Sequence, residues 1–188
     1  GVKLTSRTDK YSYGLFIAND TETNFIVPGN ISGSLASLNT ESHSAAFNYR
    51  YNVNEQLTLG IVSTLRTADN YHNALAGIDL KYRFDDSNTI TTQVLHSDTE
   101  YPIELFNDFT DSTQTLFTGF GEQVIRTDIE DSFSDQAYKI NFEHNSEYWE
   151  VNAGHQKINS LFRADLGFMN KVDYQQNNID INHIFYAE

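Results

Sequence analysis

Ala45-Ala46-Phe47-Asn48-Tyr49-Arg50-Tyr51-Asn52-Val53 carries the reading of the fold. Ala45, Phe47, Tyr49, Tyr51 and Val53 alternate with Ala46, Asn48, Arg50 and Asn52, so an extended strand would have one apolar wall and one polar wall. The same period recurs on either side. Leu57, Leu59, Ile61 and Leu65 oppose Gln56, Thr58 and Thr64, and Ala74, Ala76, Ile78, Leu80, Tyr82 and Phe84 oppose Gly77, Asp79, Lys81 and Arg83. Tyr138, Ile140 and Phe142 oppose Lys139, Asn141 and Glu143. Trp149, Val151 and Ala153 oppose Glu150, Asn152 and Gln156, while Ile179, Ile181 and Phe185 oppose Asp180 and Asn182. Weaker alternation over Val2–Thr8, Tyr11–Ala18, Thr89–His96 and Phe162–Met169 brings the expected total to about ten strands. Only Thr113–Val124 offers a short helix, and two glycines with β-branched neighbours weaken it. The expected fold is all-β: an antiparallel up-and-down meander, formed as one domain over residues 1–188.

The composition narrows the chemistry. The 188 residues hold 12 Lys and Arg against 26 Asp and Glu, a formal charge of −14, which disfavours a phosphate-neutralising surface and hence nucleic acid. Cysteine is absent, so there is no disulfide framework and no thiolate metal site. No run approaches the roughly 18 apolar residues of a membrane-spanning helix. With Gly1 in place of an initiator Met and no signal peptide, the chain reads as a mature or excised piece of a longer product.

The connections sort by length. Asp9-Lys10, Asn54-Glu55, Asp85–Asn88, Asn145–Glu147 and the region Lys171–Gln176 are short and polar. Between them fall longer links at Asn19–Glu41, Thr67–Asn73, Ser97–Asp135 and Lys157–Leu161. In a meander, alternate turns lie at opposite ends, so one end carries tight turns and the other the long loops. Outer-membrane barrels have this asymmetry, whereas Greek-key crossings mix loop lengths. Tyr11, Tyr13, Tyr49, Tyr51, Tyr82, Phe84, Phe142, Tyr148 and Trp149 gather near the tight-turn end, as a headgroup-level girdle would.

A lipid-facing or girdle row is therefore expected at Tyr49, Tyr51, Leu57, Leu59, Ile61, Ile78, Leu80, Tyr82, Phe84, Ile140, Phe142 and Trp149. A lumen-facing polar row is expected at Arg50, Asp79, Lys81, Arg83, Lys139, Glu143, Glu150 and Asp180. In a soluble sheet the same polar row would face water. Alternation does not separate the two cases, so loop sorting and tyrosine placement carry the choice.

Gly1-Val2-Lys3-Leu4-Thr5-Ser6-Arg7-Thr8-Asp9-Lys10-Tyr11-Ser12-Tyr13-Gly14-Leu15 and Phe162-Arg163-Ala164-Asp165-Leu166-Gly167-Phe168-Met169-Asn170-Lys171-Val172-Asp173-Tyr174 resemble recurring segments of one bacterial family. It is a largely uncharacterised set of outer-membrane β-barrel proteins that usually carry an N-terminal module like the family-nine carbohydrate-binding domains. The resemblance covers the barrel portion only and is least over Ser97–Asp135. It implies a bacterial outer-membrane location, outer-membrane lipid as a partner, and barrel strands or an N-terminal module belonging to a longer parent chain. The sugar-binding module is absent, so no sugar contact carries over to any residue.

Ser97–Asp135 stands apart, with ten acids against Arg126 alone and with Phe106, Phe109, Phe117, Phe120 and Phe133. Such a loop suits a lid or plug. Asp128, Glu130, Asp131 and Asp135 gather oxygen ligands suited to calcium, without the spacing of an EF-hand. A solvated acidic loop is the plainer expectation, and no other cofactor is implied. His144 and His155 could meet across a hairpin, as a cross-strand pair sooner than as a metal site. No catalytic set is singled out, and a non-enzymatic barrel section is the leading expectation: a narrow pore or a surface-exposed scaffold. A soluble β-sandwich binding saccharide through loop aromatics is the first alternative, and a membrane-embedded hydrolase the second.

Overall fold

The computed structural model describes residues 1–102, 105 and 132–186. Eleven strands follow in order: β1 (Val2–Arg7), β2 (Tyr11–Asp20), β3 (Thr23–Val27), β4 (Ser34–Leu38), β5 (Ser42–Asn52), β6 (Leu57–Ala68), β7 (Tyr71–Arg83), β8 (Asn88–Glu100), β9 (Phe133–Asn145), β10 (Trp149–Ile158) and β11 (Tyr174–His183). Nine form one sheet in the order β1-β2-β5-β6-β7-β8-β9-β10-β11, every neighbour antiparallel, and β3 and β4 form a separate hairpin. The expected all-β meander is therefore present. Among the described residues the sheet is open, with β1 and β11 as its two edges. Among the described residues no helix is long and apolar enough to cross a membrane, which does not bear on crossing by strands.

The turns at one end are built alike. The first polar side chain of each accepts the backbone N–H groups two or three residues on. Thr8 Oγ1 serves Lys10 and Tyr11, Asn54 Oδ1 serves Gln56 and Leu57, Asp85 Oδ1 serves Ser87 and Asn88, and Ser146 Oγ serves Trp149. These bonds fold the chain back within three or four residues and fix the register of each hairpin. At the opposite end lie the β3–β4 hairpin, Tyr101 and Leu105 after β8, and residues 159–173. One connection there departs from expectation: Thr67–Asn73 is no long link. β6 and β7 extend to meet at the two-residue turn Asp69-Asn70, where Asn70 takes the left-handed conformation (φ 55°) that a tight hairpin needs.

A second departure is Phe162–Met169, which forms no strand. Residues 159–173 instead fold back onto the polar face of the sheet, so Lys171–Gln176 is no tight turn but the entry to β11. Phe162 and Val172 pack there with Leu75, Ala137 and Ile158. The β3–β4 hairpin covers the same end, burying Phe25, Val27, Ala36 and Leu38 against Tyr71, Tyr101, Leu105 and Phe133. The two coverings are tied by a bridge between Gly29 and Lys171 and by the Val172 N–H donating to the Gly29 carbonyl at 2.9 Å. The core thus sits at one end of the sheet, on one face. The expected short helix at Thr113–Val124 and the body of the acidic segment lie outside the described residues.

Candidate functional site

The register sorts the side chains into two walls. Arg50, Gly60, Asp79, Gln93, Lys139, Gln156 and Gln176 form one cross-sheet row. Lys81, Arg83, Glu143, Glu150 and Asp180 stand on the same face in neighbouring rows. All eight residues of the expected polar row therefore share one wall. Arg50 reaches over β6 to Asp79 at 3.3 Å, and it can do so because Gly60 lies between them: a β-carbon there would collide with the Asp79 carboxylate. Gly154 likewise leaves room for the side chains of Asn141 and Asn178 on the strands beside it. The wall curves around a groove of about 1080 Å³ that takes in Lys3 and Arg7 on β1, Asn48 and Arg50 on β5 and Lys81 on β7. Towards β11 the lining turns to amides, with Asn141, Asn152, Gln156, Gln176 and Asn178 around a smaller recess of about 410 Å³.

The opposite wall is apolar and, among the described residues, uncovered. Tyr49, Ile61, Ile78, Val94 and Tyr138 form one row, and Tyr51, Leu59, Leu80, Thr92 and Ile140 the next. Leu57, Tyr82 and Phe142 follow, with Phe84 against Tyr82 (4.9 Å between ring centres) and Trp149 against His183 (4.4 Å). Ile78 is 65% exposed, Ile61 51%, Leu59 43% and Ile140 41%. At the tight-turn end this wall ends in aromatic rings, with Tyr11 stacked on both Tyr13 and Tyr49. At the capped end it ends in polar groups: His72 contacts Asp98 at 2.7 Å and Glu100 at 3.4 Å. Leu57 to Leu65 covers about 27 Å along β6, or about 20 Å of height at a strand tilt of about 40°.

Beneath the cap is a buried polar cluster that no pattern in the sequence announces. Asp165 accepts the Tyr71 hydroxyl at 2.8 Å and the Tyr101 hydroxyl at 3.0 Å, and its own N–H donates to Asn73 Oδ1 at 3.0 Å. Arg163 is fully buried, with its N–H on Ser97 Oγ and its guanidinium over the Phe133 ring at 5.4 Å. Its Nη1 donates to the carbonyls of Ser160 and Phe162. Burial pushes the Asp165 carboxyl up to about 6, against the opposing pull of the two tyrosine hydroxyls and Arg163. Burial also pulls the Arg163 guanidinium down and, with Asp165, raises the Tyr101 hydroxyl. The Asp165 contacts join residues 64 to 94 positions apart, so only the folded chain reveals them.

Of the expected calcium ligands, Asp128, Glu130 and Asp131 lie outside the described residues. Asp135 is committed to structure, accepting from Asn159 Nδ2 at 2.8 Å and from the Leu161 N–H at 3.0 Å. Among the described residues no three acidic or histidine side chains gather as a metal set. His144 and His155 do not meet: His144 faces Val151 in the register and bonds Asn88, while His155 faces Ile140 and bonds Asn177.

No family model, curated protein or solved structure matches this chain.

Proposed function

We propose that this chain is a non-catalytic section of an outer-membrane-type β-barrel, set in the bacterial outer membrane with its apolar wall against lipid and its polar wall inward. The exposed apolar band on a single-layer sheet carries this reading. Isolated surface isoleucines are ordinary, but a contiguous band bounded by rings at one edge and by charged groups at the other marks an interface. Its height is close to the roughly 25 Å apolar belt of transmembrane barrels, and strands β5 to β9, at 11 to 13 residues, meet or exceed the 9–11 needed to cross.

The stagger of the strands supports the same reading. Partners followed across the sheet from Arg7, the last residue of β1, lead to Gln176, seven residues before the end of β11. The tight turns therefore step steadily down the register, as they do when tilted strands wrap a barrel. The likeness of Gly1–Leu15 and Phe162–Tyr174 to the outer-membrane family with the carbohydrate-binding module fits this role. In it the groove by Lys3, Arg7, Arg50 and Lys81 and the amide-lined recess would face solutes from within.

Refolding into liposomes tests the proposal. The expected result is co-flotation with lipid and a gel mobility that changes on boiling. A chain that stays monomeric without detergent and sediments away from lipid contradicts it. That outcome would favour a soluble saccharide-binding β module.

A further inference from the structure

The two open edges of the sheet specify a partner. β1 and β2 run in opposite directions, and each further neighbour reverses again, so nine antiparallel strands leave the first and the last pointing the same way. Both β1 and β11 run from the capped end towards the tight turns. Joining them to each other would require a parallel seam in a sheet whose eight other seams are antiparallel. Lipid, in turn, does not tolerate an unpaired row of N–H and C=O groups. A second copy does not solve this. Oriented the same way in the membrane, it offers edges that are also parallel; inverted, it would place its cap on the opposite side.

We propose that the edges β1 and β11 are docking sites for one further strand, running from the tight-turn end to the capped end, antiparallel to both. This rests on the barrel-wall reading above and adds the partner's chemistry. The inward residues of β1 include Lys3 and Arg7, both exposed, while β11 presents Asn178, Asp180 and Asn182 inward, also exposed. The outward residues are Val2 and Leu4 on one edge and Ile179 and Ile181 on the other, exposed by 52 to 73%. The docking strand thus alternates, with apolar residues outward to continue the band. Inward it has acids at two positions four residues apart, facing Arg7 and then Lys3, and a base facing Asp180.

The absence of cysteine makes disulfide trapping clean. The full chain in detergent, as Thr5→Cys or as Asn178→Cys, is mixed with a synthetic ten-residue peptide of this pattern carrying one central inward cysteine. The expected result is a peptide disulfide at each edge, with that at Thr5→Cys alone reduced at least tenfold when the peptide's inward acids are replaced by lysine. Three results would overturn the proposal: an intramolecular disulfide in the peptide-free Thr5→Cys/Asn178→Cys variant, disulfide dimers of either single variant that outcompete the peptide, or no peptide capture. Flotation of the same samples with liposomes separates the two readings. Capture at both edges without flotation removes the membrane and keeps the docking strand, whereas flotation with an intramolecular disulfide does the reverse.

Discussion

The capped end and the tight-turn end of this sheet are held by different forces. At the capped end residues 159–173 and the β3–β4 hairpin lie on the polar wall, and the chain has an ordinary core of Phe25, Tyr71, Tyr101, Phe162 and Val172. At the tight-turn end there is one layer, with charges and amides on one face and exposed isoleucines and rings on the other. The first region hides its apolar surface within the chain. The second leaves that task to its surroundings, and the chain's relation to its medium is decided there.

One substitution in each region sharpens the contrast. Phe162→Ala opens a cavity in the capped core and is expected to lower unfolding free energy by about 3–5 kcal/mol in denaturant titration. Leu59→Ala, on the uncovered wall, should stay within about 1 kcal/mol in water and grow once the protein is in lipid. Equal losses at the two sites would erase the distinction.

The buried carboxyl gives the capped end a pH signature. The Asp165 pKa in the folded chain, about 6, stands above its ordinary 3.8, so the native state holds more protons between these values. Stability from this group is fully present below pH 3.8 and is lost as pH rises through about 6, a change of about 3 kcal/mol. Titrations across this range should show that fall, and Asp165→Asn should flatten it. Tyr71→Phe removes one hydroxyl donor to the same carboxylate and should cost about 1–3 kcal/mol by denaturant titration.

The tight-turn end should answer weakly. Arg50 is largely exposed, so Arg50→Ala is expected to change stability by less than about 1 kcal/mol. Gly60→Ala should likewise stay within about 1 kcal/mol, because its β-carbon meets only the carboxylate end of Asp79, which can swing away from Arg50.

The division between the ends also governs what the sequence reveals. Single-layer strands keep strict alternation, so β5, β6, β7 and β9 and both walls could be read from Phe47, Ile61, Ile78 and Ile140 and from the charged residues between them. Four of the five expected tight turns are legible, each built by one polar side chain, whereas Lys171–Gln176 is the entry to β11. The cap is not legible. Phe162, Ala164, Leu166 and Phe168 alternate as a strand does, yet Phe162 is buried and Phe168 fully exposed, because contact with Leu75 and Ala137 overrides local period. Thr23–Val27 and Ser34–Leu38, within the expected loop Asn19–Glu41, form strands only by pairing with each other over Tyr71 and Tyr101. Asp69-Asn70 makes the β6–β7 hairpin turn, masked in the sequence by polar neighbours that extend the two strands.

The central claim, lipid against the apolar wall, is most directly tested by single cysteines at consecutive positions 76 to 81 of β7 in liposome-reconstituted protein, labelled with a water-soluble maleimide. Alternation is the expected result, with positions 76, 78 and 80 protected and quenched by spin-labelled lipid while 77, 79 and 81 escape that quenching. Equal labelling along the strand, or quenching at 79 and 81 in place of 78 and 80, would contradict it.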